Sequence, residues 1–235
     1  MISADNRIDL WLVQIADFIP VIPDSAAANR LLSEEEIQRA NRFHFPAHRI
    51  RFIVAHRSLR QILSRYTDVP AEKLEFGKGP HHKPFLDFPA GALQFNLSHT
   101  DTHVLIAVTR SAALGVDIEA IRSDVDPGIP ARFFTDSERI LLEKLPESAR
   151  IPAFFRLWTG KEAVLKMTGK GLLRAIGTFS IDPAKDVQTP VLPHQEVCHL
   201  YYPKNPPKGH AEAVAVSGAI SDIRQHVWTI ETAAI

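Results

Sequence analysis

The sequence predicts an α+β fold made of two similar α/β halves. Three observations carry that expectation. Segments with helical apolar spacing alternate with short apolar runs bounded by turn residues, as in helices packed on sheets. A faint internal echo links His99-Thr-Asp-Thr-His-Val-Leu-Ile-Ala-Val to His210-Ala-Glu-Ala-Val-Ala-Val, each running into a strand. A length of 235 residues suits two units of ~115 residues. The expected division is 1–112 and 113–235, joined near Ser111 to Gly115.

Taken in order, Ile8 to Gln14 reads as a strand with Leu10, Leu12 and Gln14 on one face, and Pro20 and Pro23 mark a loop. Ser33 before Glu34, Glu35 and Glu36 reads as a helix N-cap with acids in the first turn. That helix runs to about Phe43 and stops before Pro46. Ala47 to Tyr66 reads as a long helix, and the Gly- and Pro-rich stretch Phe76 to Phe95 as loop and short strand. Val104 to Val108 and Gly115 to Glu119 are strands, and Thr135 caps a helix over Asp136 to Leu145. Ala153 to Met167 is the strongest helix, closed by Gly169 and Gly171. Phe179 to Ile181, Val197 to Tyr202, Ala213 to Val216 and His226 to Ile230 read as strands.

The composition is 45% hydrophobic and 23% charged, ordinary for a soluble globular chain. The single Cys198 excludes an internal disulfide and a Cys-rich metal framework. Asp5, Arg7 and Asp9 interrupt any apolar signal core, and no apolar run approaches the ~18 residues of a membrane span, so a cytoplasmic chain free of membrane is expected. With 27 basic and 27 acidic residues, no global field points to nucleic acid. The zero net charge hides a local imbalance. From Ile37 to Thr67 there is no acid, while Arg39, Arg42, Arg49, Arg51, Arg57, Arg60 and Arg65 crowd the run. Such a run suits a phosphate or an acidic partner, or a solvated face whose acids lie elsewhere in space.

Three clusters carry chemistry. In Gly115-Val-Asp-Ile-Glu the two-residue period puts Asp117 and Glu119 on one face and Val116 and Ile118 on the other. Paired carboxylates suit a hard cation such as Mg²⁺, or stand as two solvated acids at a strand end. On the helix from Phe154, a sector formed by Phe154, Leu157, Trp158, Val164 and Leu165 includes Lys161 and Glu162, with Lys166 just beyond its border. Charges on such a sector need partners, and Glu162 and Lys166 have the acid-before-base spacing of a helix pair, so a cleft-facing pair is expected. Asn96-Leu-Ser-His lacks the G-x-S-x-G setting of a hydrolase elbow, so Ser98 and His99 read as phosphate donors or a local turn. Gly77-Lys-Gly-Pro-His-His-Lys-Pro lacks the P-loop pattern, and His81-His82 reads as loop. Together these groups suit transfer at a pyrophosphate bond.

The blocks Lys83-Pro84, Phe95-Asn-Leu-Ser-His99, Gly115-Val-Asp-Ile-Glu119, Phe133-Phe-Thr-Asp-Ser-Glu138, Trp158-Thr-Gly-Lys-Glu-Ala-Val-Leu-Lys166 and Gly169-Lys-Gly-Leu172 stand in an order that resembles the surfactin-type 4′-phosphopantetheinyl transferases. The resemblance implies a pseudo-twofold fold with coenzyme A bound between the halves. It implies transfer of 4′-phosphopantetheine to a serine of an apo acyl or peptidyl carrier protein, with release of adenosine 3′,5′-bisphosphate. By position, Asp117, Glu119 and Glu162 would hold Mg²⁺, and Glu162 would also help deprotonate the serine. Lys166 would neutralise or protonate the leaving phosphate. Lys83, Ser98 and His99 would contact the coenzyme A phosphates, and Arg39 and Arg49 the nucleotide 3′-phosphate. Where relatives often have Thr after that second arginine, this chain has Ile50. A monomer is expected. The alternatives are a carrier-binding module without catalysis and a nucleotide pyrophosphate hydrolase.

Overall fold

The computed structural model describes residues 6–21, 30–91, 93–110, 112–169, 176–193 and 196–230. Pro23, the expected joint at Ser111, and Lys170 to Leu172, including the expected helix stop at Gly171, lie outside the described residues. The elements are β1 (Arg7–Gln14), α1 (Ile15–Phe18), α2 (Glu34–Asn41), α3 (Pro46–Thr67), β2 (Glu75–Lys78), β3 (Pro84–Phe88), β4 (Gln94–His99), β5 (His103–Thr109) and β6 (Leu114–Ala120). Then follow α4 (Gly128–Phe133), α5 (Asp136–Lys144), α6 (Glu147–Thr168), β7 (Val187–Gln188), β8 (His199–Tyr201), β9 (His210–Val216) and β10 (Asp222–Trp228).

Two four-stranded sheets form, ordered β10-β1-β5-β4 and β6-β9-β8-β7, beside a β2–β3 hairpin. The helix α3 buries Val54, Ala55, Leu59, Ile62 and Leu63 against the first sheet. The helix α6 buries Leu157, Ala163, Val164 and Leu165 against Ala211, Ala213 and Ala215 of the second. Between the sheets, Ile8, Leu10, Leu105 and Ala107 meet Leu114, Val116, Ile118, Val214 and Val216. The layers therefore run helix, sheet, sheet, helix, each sheet burying both faces. Among the described residues no helix is long and apolar enough to cross a membrane.

Local signals explain most boundaries. Ser33 and Thr135 each build a capping box, with Glu36 and Glu138 reaching back to the cap N–H. Pro46 opens α3 at a position where no N–H is needed. Other elements depart from the sequence reading. Helix α6 runs back through Pro152 to Glu147. Pro20 lies in a 3₁₀ turn over Ile19–Val21. Phe179 to Ile181 forms no ladder, because the Phe179 carbonyl accepts from Lys161 Nζ and the Ile181 N–H donates to Glu138 Oε1. Buried side chains here satisfy the backbone in place of a neighbouring strand. The last strand, β10, pairs parallel with β1 and seats Trp228 in the first core, so the first sheet draws on residues from beyond the expected division at 112/113.

One inter-sheet side chain is out of keeping with its surroundings. Glu212 shares the inward face of β9 with Val214 and Val216, is 4% exposed, and takes one long bond of 3.4 Å from Gln225. Burial pushes its pKa up to about 7. An acid raised in the fold costs nothing at low pH, where both states are protonated. It destabilises progressively as pH climbs from the ordinary value of 4.5 to about 7. The full cost above that window is about 3 kcal/mol. Glu212→Gln is expected to raise the melting temperature by about 5 °C at pH 8 and by almost nothing at pH 4.5, measured by calorimetry. An equal gain at both pH values would show that ionisation is not its cause.

Candidate active site

Gly115 decides how close α6 lies to β6. A Cβ there would stand 2.1 Å from the Ala163 carbonyl oxygen and 2.3 Å from the Met167 nitrogen. With hydrogen in that place, the helix backbone rests on the strand. The alternation then sends Gly115, Asp117 and Glu119 toward α6, since their partners Ala215, Ala213 and Ala211 belong to the α6 core. Val116 and Ile118 enter the inter-sheet core, as the two-residue period predicts.

Asp117 is 3% exposed. Its Oδ1 accepts from Lys166 Nζ at 2.7 Å and from Ser98 Oγ at 2.8 Å, and Lys166 Nζ also donates to Ser98 Oγ at 3.0 Å. Its Oδ2 is buried with no hydrogen-bond partner among the described residues. Burial, the charge of Asp117 and that of Glu119 push the Glu162 pKa up to about 7, against the opposing pull of Lys166. Burial and Asp117 likewise raise Glu119. The three acids therefore sense one another with a single lysine between them. Lys166 does not close the expected bridge with Glu162 along the helix. It reaches across to β6 and β4 instead, because Asp117 offers a buried carboxylate that has lost its water. Among the described residues no three His, Cys, Asp or Glu side chains are gathered closely enough to hold a metal ion as they stand.

The other charge on the apolar sector, Lys161, is fully buried. It pairs with Glu138 at 3.0 Å and donates to the carbonyls of Ile176 and Phe179 at 2.7 Å. The Glu of Phe133-Phe-Thr-Asp-Ser-Glu138 and the first Lys after Trp158 thus lock α5, α6 and the following loop together, away from the acid cluster.

Two cavities share a border at β4, and the smaller reaches Lys166. The larger, about 650 Å³, is bordered by Arg39, Phe52, His56, Arg60, Phe76, Asn96, Leu97 and His99. The smaller, about 200 Å³, is bordered by His81, His82, Lys83, Asn96, Leu97, Leu165, Lys166 and Gly169. His82, Pro84, Asn96 and Leu97 border both. The Arg39 guanidinium lies 5.2 Å over the Phe52 ring, on which His56 stacks at 4.0 Å. Arg49, half-buried on α3, is not among the lining side chains. His99 opens onto the larger cavity, with burial and the Arg51 charge lowering its pKa. Lys83 gives its Nζ to the carbonyls of Leu114 and Met167 at 2.9 and 3.1 Å, bridging the hairpin to β6 and α6. Its burial lowers its pKa.

The acid-free arginine run finds its counter-charges through space. Arg51 bonds Asp101. Arg60, 2% exposed, bonds Glu36 Oε2 at 2.8 Å and the carbonyls of Ala71 and Leu74. His56 bonds Glu36 Oε1 at 2.7 Å. Burial works to raise the Glu36 pKa, but the bonds from His56 and Ser33 outweigh it and hold it at about 2. The pairing of Glu36 with His56 escaped the sequence reading, which gave Glu36 only as a first-turn acid, because it joins two helices across twenty positions. Asn96 stood in plain view inside Phe95-Asn-Leu-Ser-His99.

Residues 113–215 match the family model described as the 4′-phosphopantetheinyl transferase superfamily, and 17–111 match that described as 4′-phosphopantetheinyl transferase, N-terminal. The chain is 37% identical over 187 residues to the 4′-phosphopantetheinyl transferase HetI of Nostoc sp., covering 77% of this chain and 78% of that one. It is 34% identical to the 4′-phosphopantetheinyl transferase gsp of Aneurinibacillus migulanus over 64% of this chain and 62% of that one. It is 27% identical to the 4′-phosphopantetheinyl transferase Sfp of Bacillus subtilis over 68% and 70%.

The contact at Gly115 generates a stability prediction. Gly115→Ala must push α6 off β6, since the atoms in the way are backbone, and is expected to cost about 3 kcal/mol or to prevent folding. Gly91→Ala, with nothing within 4 Å of its new methyl, should leave the melting temperature unchanged. Equal melting temperatures for the two variants would remove Gly115 from its place in the packing.

Proposed function

The chain belongs to the 4′-phosphopantetheinyl transferase superfamily, and from that premise we propose that it moves the 4′-phosphopantetheine arm of coenzyme A onto a serine of an apo acyl or peptidyl carrier protein. The observation that carries the reading is the Oδ2 of Asp117, buried and without a hydrogen-bond partner among the described residues, set among two further acids whose pKa values are raised and beside Lys166. A buried carboxylate oxygen without a donor is a costly arrangement that a cation relieves. The donors are carboxylate oxygens, the set that Mg²⁺ prefers. Asp117, Glu119 and Glu162 would hold it, and when bound it would neutralise charge on the diphosphate.

The chain's own residues do the rest of the work in this reading. Lys166, already within bonding distance of Ser98 and Asp117, neutralises the departing phosphate. Glu162 takes the proton of the carrier serine, directly or through water, as its oxygen forms a bond to the pantetheine-bearing phosphorus. The bond from that phosphorus to the bridging oxygen breaks, and adenosine 3′,5′-bisphosphate leaves. Arg39 meets the nucleotide 3′-phosphate in the larger cavity, with Arg49 near it on α3. Ser98, His99 and the remaining N–H of Lys83 serve the phosphates. The arginine-rich α3 suits an acidic carrier. We place the chain in the cytoplasm as a monomer in the same reading.

Two outcomes test these roles. Glu162→Gln is expected to bind coenzyme A nearly as the parent does and to slow transfer by ~100-fold, the scale of general base catalysis, read by mass spectrometry of an apo carrier incubated with coenzyme A and Mg²⁺. Transfer at the parental rate would strip Glu162 of both roles. Release of adenosine 3′,5′-bisphosphate by the parent without any carrier would favour hydrolysis instead. Arg39→Ala should weaken coenzyme A by about ten-fold and leave dephospho-coenzyme A nearly untouched, the size of one charge-assisted phosphate contact. Equal losses would detach Arg39 from the 3′-phosphate.

A further inference from the structure

The echo between the His99 and His210 segments has no part in the transfer chemistry, yet in the fold it becomes a contact. His103 opens β5 and His210 opens β9, and each stands half-buried ahead of six buried residues. His103 shares its strand face with Leu105 and Ala107, and His210 shares its own with Val214 and Val216. Those residues build the core between the sheets, so the two histidines meet at its end, one from each sheet. Their rings stand edge to face, with centroids 4.7 Å apart.

The ring nitrogens converge on one point. Thr102 Oγ1 lies 2.9 Å from His103 Nδ1 and 3.2 Å from His210 Nε2, with Thr100 Oγ1 farther from the latter, at 3.5 Å. On the other side of its ring, His210 Nδ1 lies 3.1 Å from the Lys208 carbonyl oxygen. A carbonyl only accepts, so Nδ1 carries the proton, and in the neutral ring Nε2 turns a lone pair to the shared point. An imidazole held from behind by a carbonyl is the arrangement of a metal-ligating histidine, because the bond fixes the tautomer and aims the ring. Burial first, then the charge of His210, lowers the His103 pKa against the pull of Asp17 on α1. That favours the neutral ring a metal needs.

We propose that His103 and His210 hold a Zn²⁺ ion that ties the two sheets together at this end of their shared core. Imidazole nitrogen suits Zn²⁺, whereas Mg²⁺ prefers carboxylate oxygen, so this pair and the acid cluster take different ions. A Zn–N bond of about 2.1 Å is shorter than either contact to Thr102. Binding therefore draws both rings onto the ion as the hydroxyl turns aside. No third His, Cys, Asp or Glu is gathered at the pair among the described residues, so water completes the shell. Two protein ligands make an open site of modest affinity, which suits an exchangeable clamp rather than a permanent structural metal.

The test titrates zinc chloride by calorimetry into the parent, His103→Ala and His210→Ala, with Mg²⁺ in excess to occupy the carboxylates. The parent is expected to bind one Zn²⁺ with micromolar affinity, and each variant to bind it at least ~10-fold more weakly. With Zn²⁺ about 100-fold above the parental Kd, the parent should melt about 5 °C higher, and each variant should gain about half of that or less. A parent that binds no Zn²⁺, variants that bind it as the parent does, a loss in only one of the two, or equal melting shifts in all three overturns the proposal. If an alanine variant is not recovered folded, His103→Asn or His210→Asn takes its place, keeping a polar group beside Thr102, and the same outcomes decide.

Discussion

The contact of helix backbone on strand backbone at Gly115 is the constraint on which the rest of the site depends. A helix on a sheet ordinarily stands off by the thickness of its side chains. Here Ala163 and Met167 present main-chain atoms to the strand, so the side chains of α6 that flank the contact are carried down to the level of β6. Glu162 and Lys166 thereby share a volume with Asp117 and Glu119 although they come from a different element. The same helix is pinned further back by a second close approach, at Gly160, where a Cβ would lie 2.2 Å from the Tyr202 hydroxyl. Lys161 fastens it between the two, through Glu138 and two carbonyls. The pinned helix and the reactive helix are one rod, so tolerance in the packing becomes tolerance in the chemistry.

Strand β6 faces a second problem, because it is an edge of its sheet. Edge strands leave backbone donors and acceptors unpaired. The first half of the chain answers with side chains in place of a strand. Lys83 covers the Leu114 carbonyl and Asn96 covers the Val116 N–H. A ladder would have filled the space between β4 and β6 with backbone. Side-chain stitches leave room beside them, and that room is where the two cavities meet. The neutral overall charge is likewise divided. Acids collect on the β6 side, while the larger cavity carries both signs, with Arg39, Arg60 and Lys78 beside Glu34, Glu35, Glu36 and Glu75.

Much of this was legible in the amino-acid order. The alternation Gly115-Val-Asp-Ile-Glu sorts its residues between two faces as read, and Ser33 and Thr135 announce their helices. The division into two sheets and flanking helices follows from period and punctuation. What the order hid are choices between partners that are equally near in sequence or equally distant. Glu162 is the spaced partner of Lys166, yet Asp117 takes it, because burial makes an unsatisfied carboxylate the stronger claimant. Phe179 to Ile181 has strand composition, but Glu138 and Lys161 reach its backbone first. The arginine run looked unpaired because its acids lie outside it, Glu36 just before its first residue and Asp101 well beyond its last, and only the fold brings them to Arg60 and Arg51. Period reports on faces, whereas pairing depends on which groups have lost their water.

The parallel pairing of β10 with β1 carries a consequence for how the molecule comes into being. A ribosome delivers β1 before β2 to β9 and β10 after them, so the first sheet waits through the synthesis of the second with one side of β1 open and without Trp228 in its core. Sequential emergence cannot complete the first half before the second. The strands of the second sheet lie in the chain between β1 and β10, which pair in the first. The gate on a finished groove is then the arrival of the final strand, and a nascent chain stalled short of it holds the acids of β6 without a completed sheet behind them.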